Sequence, residues 1–463
     1  MTKHTMRKRL IALMMMLALV IGVYTPAQAS AVVAVAAGET ATTNTSDSWV
    51  SGYAFKDNAE FNRLVDENYT KLQANREGYE ELRIPKSVHG IGREKMSKNA
   101  LTVADKLIKN GYDAYVIGGC MRDYTLGKDC DDFDLSTNAT LEQQQTIFGE
   151  ELHTHTTATG RVFGYIREND EKIDVATYQN IPSAYYGADR VPEFDKTKMT
   201  SDSVIFDSFQ RDLTINAIYY DLKTEDIVDY HGGLHDVREG IIETIVDPNL
   251  IWSNEAVAPV RSLRFKSKYG ARYSDRCDKA MREHGPEYLS KLDDYDRSYQ
   301  LEKMFVGGYS VACYETMRDY GVLTTLFPLS KKFVNNASYD GYVKTALANI
   351  DAMYKEGQDI SAYDAMSNID WMASPVIVKS AKSVKKGFKL SWYKNYDCTG
   401  YEVRYSLKKN MKSAKKVKTN KTSLTVKKLK SKKKYYVQVY AYAKNAGGTV
   451  YTVASDKKTI KAA

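Results

Sequence analysis

The feature that most constrains this chain is an apolar run that ends in two glycines and opens into a predicted helix. Tyr115-Val116-Ile117 is predicted to be a short buried strand, and the pair Gly118-Gly119 follows it directly. A glycine pair after a strand lets backbone N–H groups approach an anion closely, and the dipole of the next helix favours negative charge. The pattern therefore predicts a phosphate-binding turn at this strand end.

Two aspartates follow this turn. Asp132 and Asp134 are spaced i,i+2 on a second predicted strand, Phe133-Asp134-Leu135, which puts both carboxylates on one face. Neighbouring carboxylates repel each other unless a divalent cation neutralises them, so the pair beside a phosphate turn predicts Mg²⁺. Asp174, on a predicted strand over 172–178, is the candidate third carboxylate. Taken singly, each acid is equally compatible with a solvated surface group; the combination favours a metal site.

The surrounding pattern mixes helices and strands. Residues 97–110 and 141–148 have helical spacing, and 162–166 reads as a further strand, which predicts an α+β head over residues 84–250. Residues 251–370 follow a helical pattern and are predicted to form a helical neck and body. The length of the chain is enough for several packed units.

The pattern changes again after Pro375. Segments such as Phe388–Trp392 and Gly400–Tyr405 alternate with period two between Lys- and Gly-rich turns, which predicts a C-terminal β-sandwich over residues 371–463. A tryptophan on an early strand and a tyrosine-rich late strand resemble a fibronectin type III module. An unrelated small β domain is the alternative.

The start of the chain has the features of an export signal. A basic run ending at Arg9 precedes an uncharged stretch and the pattern Ala27-Gln28-Ala29, so residues 1–29 are predicted to be a signal peptide cleaved after Ala29. The apolar run is short for a membrane span, which disfavours the alternative of an uncleaved anchor. Residues 30–83 read as a leader and linker. We expect a secreted or cell-surface protein with no membrane span after cleavage.

The net charge of +8 hides a strong asymmetry. Residues 371–463 hold 24 Lys and Arg against three acids, a net charge of +21, whereas residues 30–370 carry −17. An RNA-gripping head should be basic. The basic tail is therefore expected to meet an anionic partner, such as a cell-envelope polymer. RNA affinity of the tail is the lesser alternative, suggested by lysines that lie beside many tyrosines.

Cysteines and histidines add little at this level. Five widely spaced cysteines without a CxxC pair do not form a disulfide framework, although export would permit one bridge. Cys120 and Cys130 are interpreted as small, partly buried residues. His153 and His155 lie on one face of a predicted strand and are interpreted as a surface pair, since no third metal ligand is in view.

The motifs together resemble a known family. The run from Tyr115 through Arg122-Asp123 to Asp132-Phe133-Asp134 is similar to the head-domain signature of bacterial poly(A) polymerases and CCA-adding tRNA nucleotidyltransferases. The similarity continues at residues 173–178, where the family usually has Glu in place of Asp174, and at 211–217, 259–264 and 304–328. The resemblance covers about residues 84–330 and implies a polymerase-beta-like nucleotidyltransferase head.

The resemblance also implies a set of roles. Two Mg²⁺ ions and a nucleoside triphosphate, with ATP as the expected one, would meet an acceptor such as an RNA 3′ end. Three groups of residues would serve the site: Asp132, Asp134 and Asp174 for the metals; Gly118, Gly119 and Arg122 for the triphosphate; Asp212 and Asn216 for the ribose, with Arg211, Arg261 and Arg264 for the nucleotide. For the arginines, structural ion pairing is an equal alternative.

Departures from the family pattern leave two hypotheses. Val257 and Ala258 replace the two acids that select the base, and Gln179 and Gln210 stand where arginines are expected. The first hypothesis is an exported Mg²⁺-dependent nucleotidyltransferase that acts on an RNA 3′-hydroxyl or another acceptor. The alternative is a catalytically degenerate nucleotide- or RNA-binding surface protein held to the cell envelope by its basic module.

Overall fold

The computed structural model describes residues 52–75, 79–130, 132–156, 162–188, 191–192, 203–395, 398–445 and 448–463. The predicted signal peptide and the first part of the leader lie outside these ranges. The described residues divide after Tyr288 into a first unit, residues 52–288, and a second unit, residues 289–463. Among the described residues, no helix combines the length and the apolar character that a bilayer crossing requires.

The first unit is built on a mixed sheet whose described part has eight strands. Its strands are β1 Leu82–Ile84, β2 Tyr115–Ile117, β3 Asp134–Thr137, β4 Leu152–Thr156, β5 Val162–Glu168, β6 Glu171–Thr177, β7 Ile218–Asp221 and β8 Ile227–Asp229. Their order in the sheet is β1-β8-β7-β2-β3-β6-β5-β4. The pair β3 and β6 is parallel, and β2 pairs with β3 in antiparallel register.

Helices and two short strands complete this unit. The helices are α1 Ala59–Ala74, α2 Lys86–His89, α3 Lys98–Lys109, α4 Gly119–Thr125, α5 Leu141–Phe148, α6 Val204–Ser208, α7 Gly233–Glu239, α8 Pro248–Asn254, α9 Val257–Tyr269 and α10 Asp275–Ser290. The strands β9 Ile241–Ile242 and β10 Arg272–Tyr273 form a separate parallel pair. Residues 251–288, which the sequence assigned to the helical body, thus belong to the first unit.

The position of α3 shows how sequence pattern places elements on the sheet. Its side chains at helical spacing, Ala100, Val103, Ala104 and Leu107, are buried, and the helix packs against β3 and β6. The Ser97 hydroxyl accepts hydrogen bonds from the N–H groups of Asn99 and Ala100 and so caps the helix start. All three residues of β2 are buried as well. The strands that carry the glycine turn and the aspartates therefore lie in the middle of a packed layer.

The second unit combines helices with a β-sandwich. The helices are α11 Asp294–Phe305, α12 Ser310–Asp319, α13 Leu323–Leu326, α14 Ala337–Lys355 and α15 Ala362–Asp370. The strands are β11 Val378–Val384, β12 Gly387–Trp392, β13 Gly400–Ser406, β14 Lys415–Thr419, β15 Ser423–Val426, β16 Lys434–Asn445, β17 Gly448–Tyr451 and β18 Lys458–Lys461. One sheet has the order β11-β12-β15 and the other β14-β13-β16-β17, with β18 paired to β16.

The core of the sandwich comes from alternate residues of its strands. Phe388, Leu390 and Trp392 of β12 are buried, as are Val403 of β13 and Val439 of β16. The predicted class is confirmed: an α+β head, a helical body and a C-terminal β-sandwich.

Candidate active site

The glycine turn has the conformation that its sequence predicts. Gly118 has φ +74° and ψ −130°, a backbone that a residue with a Cβ rarely adopts, and α4 begins directly after it. A Cβ on Gly119 would lie 3.2 Å from Nη2 of Arg122, so the missing side chain leaves room for that guanidinium. The two glycines therefore set both the turn and the position of the arginine.

Strand pairing brings the acidic residues to this turn. Asp134 begins β3 and is paired with Ile117 on one side and with Asp174 of β6 on the other. Asp132 is exposed and precedes the strand, so only Asp134 of the predicted pair lies on a strand. Burial and the negative charges of Asp132 and Asp174 raise the pKa of the Asp134 carboxyl to about 6. The three acids thus share one electrostatic environment.

Asp174 forms an ion pair with Lys172 on the same strand. The Lys172 ammonium lies 2.5 Å and 2.6 Å from the two carboxylate oxygens of Asp174, and His155 Nδ1 is 3.9 Å from one of them. His155, interpreted as a surface residue, therefore faces this carboxylate. Among the described residues, no group of three or more His, Cys, Asp or Glu is arranged so that it could already hold a metal ion.

The donor chemistry nevertheless fits a divalent cation. Carboxylate oxygens are the ligands that Mg²⁺ prefers in proteins. The pKa of Asp134 is raised first by burial and then by repulsion from Asp132 and Asp174, and a bound cation would offset both effects. An ion that also bound Asp174 would take the place of the Lys172 ammonium. Asp132, Asp134 and Asp174 are thus the residues that would hold the metal.

A hydrogen-bonded chain connects four of the predicted nucleotide residues. Arg122 Nη1 donates to Asn216 Oδ1 over 2.7 Å, Asn216 Nδ2 donates to Asp212 Oδ1 over 3.1 Å, and Arg261 Nη1 donates to Asp212 Oδ2 over 2.8 Å. Burial alone would raise the pKa of the Asp212 carboxyl, but the charge of Arg261 and the bonds from Asn216 and Arg261 lower it below its ordinary value. Asp212 and Asn216 therefore fix two guanidinium groups.

Helix α9 adds the cation of Lys268 and the rings of Phe265 and Tyr269 close to Arg122 and Lys128. Arg122 lies 4.7 Å from the ring centroid of Phe265 and 5.4 Å from that of Tyr269, and the Tyr269 hydroxyl donates to Asp123. Lys128 and Lys268 lie 5.1 Å and 4.9 Å from the Tyr269 ring centroid. We call Arg122, Lys128, Lys268 and the Tyr269 ring the head cation cluster.

The head cation cluster is crowded with positive charge. Burial lowers the pKa of the Lys268 ammonium to about 8, against the attraction of Asp123 and with the help of repulsion from Arg122 and Lys128. An ammonium under such repulsion gains most from a bound anion. The cluster therefore has the charge that a polyphosphate requires.

Two of the arginines predicted to contact the nucleotide, Arg211 and Arg264, make other contacts than those to Asp212 and Asn216. Arg211 Nη2 donates to Asp207 Oδ2 over 3.0 Å, and its Nε donates to the Tyr219 hydroxyl. Asp207 is only 2% exposed, so Arg211 makes a structural ion pair in the core. Arg264 lies 4.7 Å from the ring centroid of its neighbour Phe265 on α9.

The two residues at the base-selecting positions are in the first turn of α9. Ala258 is buried, and Val257 is half-buried. Neither side chain has a polar atom, so neither can hydrogen-bond a base.

The structure corrects the interpretation of two cysteines. Cys120 of α4 and Cys130, interpreted as small, partly buried residues, form a disulfide with a Cα–Cα distance of 5.2 Å, a bridge of the kind that export would permit. The bridge folds the segment that carries Lys128 back along α4, and Cys130 lies two residues before Asp132. It therefore ties the glycine turn to the start of the acidic strand.

Sequence reasoning missed Lys128, Lys172, Lys268 and Tyr269. A signal for two of them was present, because Lys268 and Tyr269 follow Arg261 at i+7 and i+8 and so share its helix face. Lys172 is two residues before Asp174 on β6, which puts both side chains on one face of the strand. No sequence signal points to the approach of Lys128, which depends on the disulfide-closed loop.

Two segments of the chain match known protein families. Residues 114–243 match the poly A polymerase head domain, and residues 374–455 match the fibronectin type III domain. These matches confirm the two resemblances. The matched head segment contains the glycine turn, the three acids and the pair Asp212 and Asn216.

Individual proteins are similar to this chain over part of its length. Poly(A) polymerase I of Escherichia coli O157:H7 is 30% identical over 281 residues, 58% of this chain and 58% of that protein. The CCA-adding enzyme of Bacillus licheniformis is 30% identical over 242 residues, 52% of this chain and 58% of that protein. The similarity thus spans less than two thirds of the length of either relative. A structure of Thermotoga maritima CCA-adding enzyme complexed with tRNA has a TM-score of 0.48 and 19% identity, covering 62% of this chain and 66% of that one.

Proposed function

We propose that this chain, whose residues 114–243 form a poly A polymerase head domain, is an exported Mg²⁺-dependent nucleotidyltransferase. It transfers a nucleoside monophosphate from a nucleoside triphosphate to the 3′-hydroxyl of an RNA. The observation that carries the proposal is the strand register that places Asp134 between Ile117, next to the glycine turn, and Asp174. Neighbouring strands of one sheet thus carry Asp134, Asp174 and the residue that precedes the glycine turn, which supports a metal site beside a phosphate site.

Different groups of residues have different roles in the proposed reaction. Asp132, Asp134 and Asp174 would hold two Mg²⁺ ions, which lower the pKa of an attacking hydroxyl and stabilise a departing pyrophosphate when bound. Arg122 and Lys268 of the head cation cluster bind the triphosphate through charge-assisted hydrogen bonds. Asp212 and Asn216 hold Arg122 and Arg261 in place before the substrate arrives, which reduces the ordering cost of binding.

Export is part of the proposal. The predicted signal peptide at residues 1–29 motivates it, and the Cys120–Cys130 disulfide supports it, because disulfides persist in oxidising compartments and are rare in the cytosol. Cleavage after Ala29 is tested by N-terminal sequencing of the protein recovered from the culture medium or cell surface. Recovery in the cytosol with an intact N-terminus would contradict export.

Base selection is expected to be weak. Val257 and Ala258 offer no hydrogen bond to a base, so discrimination among nucleotides depends on shape and stacking alone. We therefore propose that ATP is accepted but not exclusively. Competition among the four nucleotides for incorporation measures this selectivity directly.

The deciding experiment is incorporation of each labelled nucleotide into a mixed RNA pool with Mg²⁺. The wild-type chain should extend RNA, and Asp134→Asn should lower the rate about a thousandfold, because loss of a metal ligand removes several kcal/mol of transition-state stabilisation. Asp174→Asn should also lose activity. Asp113→Asn is the matched control, since Asp113 is similarly exposed and is paired with Lys223 as Asp174 is with Lys172.

A second candidate function is nucleotide binding without transfer. The observation in its favour is the Lys172 ammonium on both oxygens of Asp174, which neutralises a metal ligand from within the chain. Under this alternative, ATP binds with an affinity that is independent of Mg²⁺ and no RNA is extended. Lys172→Met then decides between them: restored incorporation identifies an inhibited enzyme, and continued absence with intact ATP binding identifies a binding protein.

A further inference from the structure

The tyrosine-rich sheet of the C-terminal sandwich carries a face that the proposed reaction does not use. On β16, Val437, Val439 and Ala441 are at most 1% exposed and point into the sandwich. Alternate residues of a strand point to opposite faces, so Tyr436, Gln438 and Tyr440 point outward, and all three are partly exposed. This sheet therefore presents aromatic rings on its outer side.

Neighbouring strands add cations to the same side. Glu402 of β13 pairs with Tyr440 of β16 and with Lys418 of β14, and Arg404 pairs with Gln438 and with Lys416. Paired residues of adjacent strands lie on one face, so the cations of β13 and β14 share a side with the outward-pointing tyrosines of β16. We call this surface the Tyr–Lys face; its residues are Arg404, Lys416, Lys418, Tyr436, Gln438, Tyr440 and Tyr451, and the ring of Tyr442 beside them is buried.

Two cations of this face lie against its rings. The Arg404 guanidinium carbon lies 4.0 Å from the ring centroid of Tyr440 and 5.3 Å from that of Tyr451. Lys418 Nζ lies 4.7 Å from the ring centroid of Tyr442 and 5.8 Å from that of Tyr451. These contacts orient both kinds of group on the surface.

One carboxylate lies beneath this layer. Glu402 is 3% exposed, and its two oxygens accept hydrogen bonds from Arg404 Nε over 2.7 Å and from the Tyr451 hydroxyl over 3.1 Å. Glu402 is the only acid in the sequences of β13, β14, β16 and β17. It fixes one cation and one ring and leaves the face strongly positive.

We infer that the Tyr–Lys face binds single-stranded RNA, with phosphates on its cations and bases stacked on its tyrosines. Single-stranded nucleic acids need both groups, because the backbone is anionic and each base has an aromatic face. An envelope polyanion has no bases to stack, and a neutral glycan has no use for the positive charge. This inference rests on the proposed function, since it identifies the acceptor as single-stranded RNA.

The test measures RNA binding by the full chain without metal or nucleotide. Anisotropy of a labelled oligo(A) in EDTA gives the affinity, and inorganic polyphosphate serves as the base-free anionic probe. Tyr440→Ala/Tyr451→Ala should lower RNA affinity at least about tenfold, because stacking contributes on the order of 1–3 kcal/mol per base. Its polyphosphate affinity should stay within twofold of wild type.

Tyr393→Ala is the matched control. Tyr393 is 55% exposed and lies under Lys379, 4.7 Å from Nζ to the ring centroid, next to the other sheet. Its loss should leave RNA affinity within twofold of wild type. If Tyr440→Ala/Tyr451→Ala fails to fold, the pair Tyr440→Phe and Tyr440→Leu replaces it: Phe should keep the affinity and Leu should lose it.

Three outcomes would overturn the inference. They are equal affinity for RNA and polyphosphate, unchanged RNA affinity in the tyrosine variants, and an equal loss in Tyr393→Ala. The proposed function is tested separately, because Asp134→Asn should lower incorporation about a thousandfold and leave RNA affinity unchanged. Tyrosine-dependent RNA binding without incorporation by either the wild-type chain or Lys172→Met would therefore refute the proposed transfer and support the Tyr–Lys face.

Discussion

The head cation cluster and the Tyr–Lys face both place cations against tyrosine rings, but the arginine of the first surface is more deeply buried than the arginine of the second. The Arg122 side chain is 6% exposed and is tied into the chain of hydrogen bonds through Asn216 and Asp212. The Arg404 side chain is 26% exposed, and Lys418 is exposed. A buried cation such as Arg122 depends on every neighbour, whereas exposed cations, which include Lys128 and Lys268 of the head cation cluster, act nearly independently.

This difference separates two kinds of recognition. A cluster built around a buried, prearranged arginine suits one small ligand of fixed shape, since that guanidinium is already ordered when the ligand arrives. An exposed row of cations and rings suits a flexible polymer, since each contact adds a small increment. Substitutions should therefore have large, coupled effects in the head and small, additive effects on the Tyr–Lys face.

The largest effect is expected for Arg211→Met in the head. The substitution leaves the buried Asp207 carboxylate without its cation, which should lower the free energy of unfolding of the first unit by about 3–5 kcal/mol. Hydrogen exchange of β7 peptides measures the loss, with β16 peptides as the internal control. Unchanged exchange together with lost ATP affinity would instead make Arg211 the nucleotide contact that the sequence predicted.

The disulfide comes next. Cys120→Ala/Cys130→Ala opens a loop with a sequence separation of 10, which should lower the stability of the first unit by about 2–3 kcal/mol. Reductant should shift the wild-type chain to the same value and leave the double variant unchanged, as thermal unfolding would show. Equal sensitivity of β16 exchange to reductant would contradict a stabilisation confined to the head.

The dependence of binding on pH should separate the two cation sets. Lys268 has a pKa near 8 and loses its charge as the pH rises through that value, so ATP affinity should fall about three- to tenfold between pH 7 and 9.5. The hydrogen bond with Tyr451 raises the pKa of Lys418 above its ordinary value, so that cation stays charged and RNA affinity should stay constant. Lys268→Met should bind ATP weakly at both pH values; an unchanged pH profile in this variant would assign the titration to another group.

The smallest effect is expected for Lys416→Ser. Lys416 is exposed, so the substitution should change stability by less than about 0.5 kcal/mol. The slope of log affinity for RNA against log salt should fall by about 0.7 if the ammonium meets a phosphate. Lys379→Ser, on the other sheet, is the control and should leave the slope unchanged. A similar fall in both variants would mean that RNA binding depends on the overall positive charge of the module and not on the Tyr–Lys face.

Local features of the fold followed from the sequence. The strand Tyr115–Ile117 and the helix Leu141–Phe148 lie where periodicity predicted them, and Gly118 has the positive φ that its place in the turn requires. These features depend on neighbouring residues only. The roles of Asp132, Asp134 and Asp174 remain predictions.

Features that depend on long-range contacts did not follow from it. The chain of hydrogen bonds from Arg122 to Asn216 joins residues 94 positions apart, and no spacing rule reports such a contact. The ion pair of Arg211 depends on Asp207 being buried, which periodicity in a short helix does not show. The disulfide depends on the path of a turn-rich loop, and cysteine spacing alone did not identify it.

The parallel pairing of β3 and β6 has a consequence for tolerance to insertions and deletions. Asp134 and Asp174 are level because Leu135, Ser136 and Thr137 are in turn paired with Val175, Ala176 and Thr177. A single-residue deletion within β6 would turn Asp174 to the opposite face of the sheet, whereas a length change between the strands would leave it in place. The pairing of Asp134 with Asp174 should therefore tolerate changes in loop length but not the deletion of one residue within the strand.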